Sequence, residues 1–226
     1  MLASVHLADV EPRAALAVLR RAPDPASIPG LRSARVALVT PLRTSFVPKP
    51  VFGRVGLVSF WDDDAALDAF EAGNDAAAPF SDGWRMRLEP LRSHGTWPGL
   101  DPDLPHKRTV DYEGTAAVLT LGRVRLPRAL SFLRASTKAE AATYDAPGMI
   151  WGTAMARPPF VATCSLWENS EAIAAYAFGA DGEPHPGAMQ ADRAKPFHHE
   201  SAFIRFRPYA VKGSLSGKNP LTFAPA

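Results

Sequence analysis

The chain has 226 residues, of which 46% are hydrophobic and 21% charged, and its formal net charge is +2. This composition is typical of a globular protein with a real core and excludes an intrinsically disordered chain. Because the charge is small and no basic run alternates with aromatics, the usual surface of a nucleic-acid-binding protein is excluded. The single cysteine, Cys164, excludes an internal disulfide, a CxxC redox site, a thiolate zinc cluster and covalent haem attachment through CxxCH.

The first residues, MLASVHLADVE, reach Asp9 and Glu11 before any sustained apolar run. A signal peptide or a membrane-spanning helix needs a longer uncharged apolar stretch. We therefore expect no membrane span, and we expect a cytoplasmic protein.

In the first half, the residue pattern predicts two strand–helix–strand modules. Apolar, β-rich runs alternate with amphipathic stretches, and Pro12 stands at a helix-start position. The acidic run that begins at Asp62 opens the second helix, where negative charge suits the helix dipole, and Gly73 ends it. The predicted elements are strand 2–8, helix 12–21, strands 32–40 and 53–61, helix 62–73 and strand 84–94.

The second half repeats the motifs of the first in the same order. The matched pairs are EPRAAL and LPRALS, PGL and PGM, SFWDDDAALDAF and SLWENSEAIAAY, RLEP and RFRP, and GTWPG and GSLSG. The second half therefore has the same order of elements, which we predict as strand 115–122, helix 127–136, strands 148–156 and 160–167, helix 168–179 and strand 201–212.

The β-α-β-β-α-β order defines a ferredoxin-like unit. The sequence predicts an α+β protein in which two tandem ferredoxin-like units form a dimeric α/β barrel within one chain. We expect a first unit at 1–98, a linker at 99–112, a second unit at 113–213 and a C-terminal tail at 214–226.

Three of the six histidines lie in GEPHPGAMQADRAKPFHHES, at 182–201. The second half has 33 residues between Gly179 and Gly213, whereas the first has 21 between Gly73 and Gly95. The fold does not require these extra residues, so they form either a site or a plain surface loop. Adjacent histidines on a strand point to opposite faces and chelate zinc poorly, whereas one neutral imidazole suffices for a haem iron.

Other residues allow two interpretations each. The run DDD at 62–64 could bind a cation, but its repeat partner ENS favours helix capping. Phe46 and Trp151 could line a haem or apolar substrate pocket, although large apolar residues on strands are more often core. Arg43 could pair with a haem propionate or lie in a solvated loop. Met189, on the weakly apolar face that follows His185, completes the candidate cofactor-binding residues.

Five segments together resemble the spheroidene monooxygenase family, a family of bacterial proteins connected with carotenoid oxygenation. They are FVPKP, AVLTLGRVRLPRALSFLR, CSLWENSEAIAAYA, PH at 184–185 and ESAFIRF, and the resemblance covers nearly the whole chain. It implies a haem-dependent monooxygenase, with b-type haem as cofactor and a helix histidine as its iron ligand. His185 matches that position and is our candidate metal ligand.

The resemblance assigns no role to His198 or His199, which match no family histidines. As local additions they could hydrogen-bond a ligand in the distal pocket or move a proton near neutral pH, and nearby Arg205 is a third catalytic candidate. Expected partners are an apolar or small organic substrate, an electron donor, and a second copy of the chain, which could pair along an exposed sheet edge. No nucleic acid is expected.

Two alternatives stay open. One is a haem-dependent dehydratase or bond-forming enzyme in which a substrate nitrogen binds the iron and a distal histidine acts as acid and base. The other is a haem-free barrel that binds an apolar ligand between its sheets. Turnover without oxygen would identify the first, and a solvated His185 far from any large cavity would favour the second.

Overall fold

The computed structural model describes residues 1–42, 51–107, 110–178 and 196–221, without the side chains of 137–142 and 144. The first half contains β1 (Leu2–Asp9), α1 (Pro12–Arg20), β2 (Leu31–Pro41), β3 (Arg54–Trp61), α2 (Asp64–Gly73) and β4 (Trp84–Gly95). The second half contains β5 (Ala116–Val124), α3 (Ala129–Tyr144), β6 (Met149–Arg157), β7 (Phe160–Trp167), α4 (Ser170–Phe178) and β8 (His198–Lys212).

The two halves form one closed barrel. In each half the strands lie in the ferredoxin-like order, β4-β1-β3-β2 and β8-β5-β7-β6. The two sheets join through antiparallel pairs at both margins, β2 with β6 and β4 with β8. The predicted fold, two tandem ferredoxin-like units making a barrel in one chain, is therefore confirmed.

Closure leaves little free sheet edge. Each of the eight strands in the described ranges has a neighbour on both sides, and β2 pairs with β6 from Leu38 to Pro41. The two units therefore use most of their sheet edges on each other. The expected homodimer stays a prediction.

The two halves also share the same glycine turn before the second strand. Gly30 and Gly148, the glycines of PGL and PGM, have φ angles of 73° and 80°. Their carbonyls accept hydrogen bonds of 2.8 Å from the backbone N–H groups of Asp62 and Glu168, respectively. In both units the left-handed glycine thus ties the entry of the second strand to the start of the second helix.

The acidic run at 62–64 caps a helix, as its repeat partner indicated. The Asp63 carboxylate accepts a hydrogen bond of 2.9 Å from the Ala66 N–H, and Asn169 accepts one of the same length from Ala172. Asp62 instead pairs with Arg32 at 2.6 Å. Capping satisfies helix N–H groups that would otherwise lack partners, so the capping interpretation is confirmed.

Two element boundaries differ from the predicted ones by more than two residues. Helix α3 continues to Tyr144, eight residues beyond its predicted end, and β8 begins at His198, three residues before its predicted start. The neighbouring strand explains the early start of β8, because Val124 at the end of β5 pairs with His198. The strand therefore begins where a neighbour is available, not where the apolar pattern begins.

Alternating side chains divide the barrel into an interior core and two outer layers. The interior core draws on both units and includes Val5, Phe60, Trp84, Leu119 and Phe206. A large outer core lies between the first sheet and α1 and α2, and a smaller one lies on the second sheet. No helix in the described ranges is both long enough and apolar enough to cross a membrane.

Candidate functional site

The barrel interior is occupied by side chains. Trp97, which follows the end of β4, is 6% exposed and packs against Phe160, with ring centroids 5.8 Å apart. At the start of β4, the Trp84 indole donates a 2.9 Å hydrogen bond to Asn219, and Leu221 joins the interior core. An interior packed in this way leaves no room for a large group, so a large ligand would bind on an outer face.

Trp151, a candidate pocket residue, lies in this interior. Its ring centroid is 5.3 Å from that of Trp84, and its side chain packs on the interior core. The Cα partner of Trp151 on β7 is Leu166, which also faces inward. Trp151 is therefore on the side of the second sheet opposite to the outward-facing residues of β5 and β8.

The outer face of the first sheet is closed by helices and a polar network. His6 lies at 2% exposure, with its Nε2 atom 3.0 Å from Ser4 Oγ. The Trp61 indole N–H donates to Ser4 and Ser59, at 3.1 and 3.0 Å. Burial, followed by repulsion from Arg85 and Arg87, lowers the pKa of His6 to about 3. This buried histidine is neutral and belongs to the structure of the first unit.

The outer face of the second sheet is only half covered. Strand pairing shows that Val118, Thr120 and Thr163 occupy the positions of Ser4, His6 and Leu57 in the first sheet. The three first-sheet residues are buried, whereas the three in the second sheet are half-buried. We call the outward side of β5, β7 and β8 the second-sheet face; it comprises Val118, Thr120, Gly122, Thr163, Phe203 and Arg205.

Small and aromatic side chains shape this face. Thr120 pairs with Thr163 on one side and with Phe203 on the other, so the three lie in one row across three strands. Phe203 is 37% exposed, an unusual value for a phenylalanine in a sheet. Phe203, with half-buried Val118 on the neighbouring strand, gives this face some accessible apolar surface.

His198 closes one end of the second-sheet face. Its imidazole lies in edge contact with the Phe132 ring on α3, with centroids 5.1 Å apart. Its backbone carbonyl accepts a 2.9 Å hydrogen bond from Arg125 Nε. His198 is half-buried, whereas its neighbour His199 is exposed. The two adjacent histidines are thus separated, as predicted for a strand, and only His198 is near the face.

Arg205 lies at the other end, opposite Val118. It is 5% exposed, and on β4 its Cα partner is Arg92. Burial, and secondarily the charge of Arg92, lowers the pKa of Arg205 below its ordinary value. The second-sheet face therefore has a histidine at one end and a buried cation at the other.

Four candidate residues lie outside the described residues: Arg43, Phe46, His185 and Met189. The structure says nothing of their positions, and their assignments stay predictions. Within the described ranges, no group of three or more histidine, cysteine or acidic side chains is arranged to hold a metal ion. A metal held by one protein ligand would not produce such a group.

Sequence reasoning missed several parts of this face. Thr120, Gly122 and Phe203 lie within predicted strands, and the sequence assigned them no role in a site. One signal was available, because aligning the two repeats exposes every position where the second unit replaces a bulky or charged residue by a small one. That comparison would have found Ser170, where the first unit has Asp64.

Comparison with known proteins gives relatives of one kind. No protein-family model matches the chain. It is 30% identical over 197 residues to a protein named spheroidene monooxygenase from Rubrivivax gelatinosus, which covers 84% of this chain and 73% of the relative. The protein of the same name from Rhodobacter capsulatus is 28% identical over 189 residues, covering 78% and 75%. Among solved structures, an aldoxime dehydratase aligns over 92% of this chain and 80% of its own, with 8% identity and a TM-score of 0.48.

Proposed function

We propose that this chain, which belongs to the spheroidene monooxygenase family and is a monooxygenase-like enzyme, binds a b-type haem on the second-sheet face and oxygenates an apolar or small organic substrate there. The observation that carries the proposal is the difference between the two outer faces. Ser4, His6 and Leu57 are buried in the first sheet, and their counterparts Val118 and Thr120 are half-buried in the second.

The residues of the face fit a flat, largely apolar group that carries negative charge. Thr120 and Thr163 have small, half-buried side chains, so a planar ring could approach the strands closely at these two positions. Phe203 and Val118 supply apolar contact, and Arg205 supplies a cation at one end. Haem has an apolar macrocycle and two carboxylates, which matches this distribution.

His185 is the proposed iron ligand, on the resemblance described above. A neutral imidazole can hold haem iron as the only protein ligand while the surrounding apolar surface supplies most of the affinity. The assignment therefore requires no cluster of metal-binding side chains.

His198 is the proposed acid–base group of the distal side. Edge packing against Phe132 holds the ring at the end of the face, and the hydrogen bond from Arg125 holds the backbone of His198. From there the imidazole could donate or accept a proton at a substrate or oxygen atom. His199 is exposed, and we assign it a proton path to solvent at most.

Haem, when bound, would supply the oxygen activation itself. Monooxygenation places one oxygen atom of O2 in the substrate and reduces the other to water, so it consumes two electrons and two protons. The proposed partners are therefore a substrate and an external electron donor. The two relatives are named for spheroidene, which makes a carotenoid-like apolar molecule the first substrate to test. The cytoplasmic location stays a prediction.

The test is an absorption spectrum of protein expressed with added haem precursor, beside His185→Ala and the control His94→Ala, whose side chain is exposed on β4. We expect a Soret band that shifts on reduction and on addition of carbon monoxide, is lost in His185→Ala and persists in the control. A colourless wild type would contradict the proposal and favour the haem-free barrel. Turnover that needs neither oxygen nor a donor would favour the dehydratase alternative.

A further inference from the structure

Arg87 and Arg205 occupy the same position in the two units. Arg87 on β4 pairs with Ser4 on β1, and Arg205 on β8 pairs with Val118 on β5. Ser4 and Val118 are themselves equivalent, because they pair with Ser59 and with Ser165, respectively. Both arginines therefore point outward from their sheet, on the side where the second helix of each unit lies.

The first unit neutralises its arginine completely. The Arg87 guanidinium donates to Asp64 at 2.8 Å, to Asp68 at 2.5 Å and to Glu71 at 3.1 Å, all three on α2. Partly buried charges are normally satisfied by such pairing and hydrogen bonding. The first unit thus provides its cation with acidic partners from its own helix.

The second unit has replaced all three acidic partners. Trp61 and Trp167 align the two helices, and this alignment places Ser170, Ala174 and Ala177 where α2 has Asp64, Asp68 and Glu71. Helix α4 therefore offers no carboxylate at these positions. The second unit therefore has the equivalent arginine, Arg205, without the three carboxylates that neutralise Arg87.

Arg205 is nevertheless the more buried of the pair. It is 5% exposed, and in the described ranges its guanidinium makes no hydrogen bond or ion pair with another protein group. Its neighbour across the strands is Arg92, a second cation. The Ser170 hydroxyl, at the position of Asp64, is also buried and has no hydrogen-bond partner within the same ranges. A nearly buried cation without a counter-charge and a buried donor without an acceptor are suited to bind an anion.

We propose that Arg205 and Ser170 form a carboxylate-binding subsite at the end of the second-sheet face. A carboxylate presents two oxygens that match the parallel N–H groups of a guanidinium, and the neighbouring Val118 and Phe203 suit an apolar body attached to it. The proposal rests on the proposed function in that the carboxylate comes either from a haem propionate or from an acidic substrate. Arg205 then acts in ligand binding and not as an acid or base.

The first experiment measures haem binding by Soret titration of the apo-protein, using haem and its dimethyl ester, in which both propionates are blocked. The variants are Arg205→Gln and the control Arg207→Gln, whose exposed guanidinium pairs with Glu89 at 2.5 Å. For a propionate, we expect Arg205→Gln to weaken haem binding about ten- to a hundredfold. Binding of the dimethyl ester should be the same in all three proteins.

The second experiment separates the substrate source and does not depend on haem. Octanoate and octanol are added to the apo-protein, and the thermal unfolding midpoint is recorded. For a substrate carboxylate, octanoate but not octanol should raise the midpoint of the wild type, and Arg205→Gln should remove that rise. If the wild type binds no haem, this experiment still decides the subsite while the proposed function fails.

A third measurement tests whether Arg205 lacks an internal partner. Without ligand, Arg87→Met should lower the unfolding midpoint, because it leaves three carboxylates without their cation. Arg205→Met should leave the midpoint unchanged or raise it. Equal losses in the two variants would overturn the proposal. So would an Arg205→Gln protein that binds haem, haem ester and octanoate as the wild type does.

Discussion

The His198 imidazole lies directly over the α-carbon of Gly122: a Cβ atom at position 122 would stand 2.5 Å from His198 Cδ2 and 2.7 Å from Nε2. Real Cβ atoms do not come this close to other heavy atoms. The ring and the glycine belong to adjacent strands, β8 and β5. The absence of a side chain at Gly122 is therefore what allows His198 to close the end of the second-sheet face.

We expect Gly122→Ala to displace the His198 ring and to lower the free energy of unfolding by about 1–3 kcal/mol, the range for an overpacked site. In the double variant Gly122→Ala with His198→Ala the clash is gone, so much of the loss should be recovered. Denaturant unfolding of the four proteins gives the coupling. Gly73→Ala, which meets nothing within 4 Å, is the control, and additive losses would contradict the contact.

The buried His6 predicts a specific dependence of stability on pH. Its pKa in the folded protein is about 3, below the ordinary histidine value of 6.5, because burial and the charges of Arg85 and Arg87 oppose protonation. The unfolded chain therefore binds a proton that the folded chain does not, and stability falls as pH drops from about 6.5 toward 3. The fall is about 1.4 kcal/mol per pH unit, or roughly 2 kcal/mol by about pH 5.

His6→Gln should remove this part of the pH dependence, although it could lower stability at every pH. Urea unfolding of the wild type, His6→Gln and the exposed-site control His94→Gln, measured at about pH 7 and about pH 5, gives the three slopes. An unchanged slope in His6→Gln would mean that His6 takes up a proton in the folded state, where the Glu71 carboxylate lies 3.9 Å from its Nε2 atom.

The equivalent tryptophans of the two units differ in the number of acceptors for their indole N–H. Trp61 donates to both Ser4 and Ser59, whereas Trp167 donates to Ser165 at 2.9 Å and has Val118 in the place of Ser4. Ser165→Ala should thus leave the buried Trp167 indole N–H without its acceptor and lower the free energy of unfolding by about 1–3 kcal/mol. Ser59→Ala should cost less, since Ser4 remains. Equal unfolding free energies for the two variants would refute this difference.

Cys164 should be unreactive in the native protein. It is the only cysteine, it lies in the interior core, and burial raises its pKa to about 12. A disulfide reagent such as dithionitrobenzoate at about pH 8 should label no thiol in native protein and one thiol per chain in denaturant, because the thiolate is the nucleophile. Rapid labelling of native protein would show that the barrel opens.

The sequence by itself determined the strands, helices and turns, because these depend on neighbours along the chain. The doubled motifs gave two β-α-β-β-α-β units, and Asp63 and Asn169 cap their helices as the repeat indicated. Gly30 and Gly148 mark the same turn in both halves. Periodicity, caps and left-handed glycines act within a few residues, so the sequence shows them directly.

Only the tertiary structure decided which side of the barrel each side chain faces and what it meets there. Trp151 lies in the interior with Trp84, while Arg205 points outward, and strand alternation alone does not say which side is which. The sheet edges close on each other, and β8 begins at His198 because Val124 is there to pair with it. The sequence repeat aligns Ser170, Ala174 and Ala177 with the acidic residues of α2. Only the structure shows that Arg205 is nearly buried and that it pairs with no carboxylate among the described residues. Burial and pairing are long-range properties, since they depend on residues far apart in the chain.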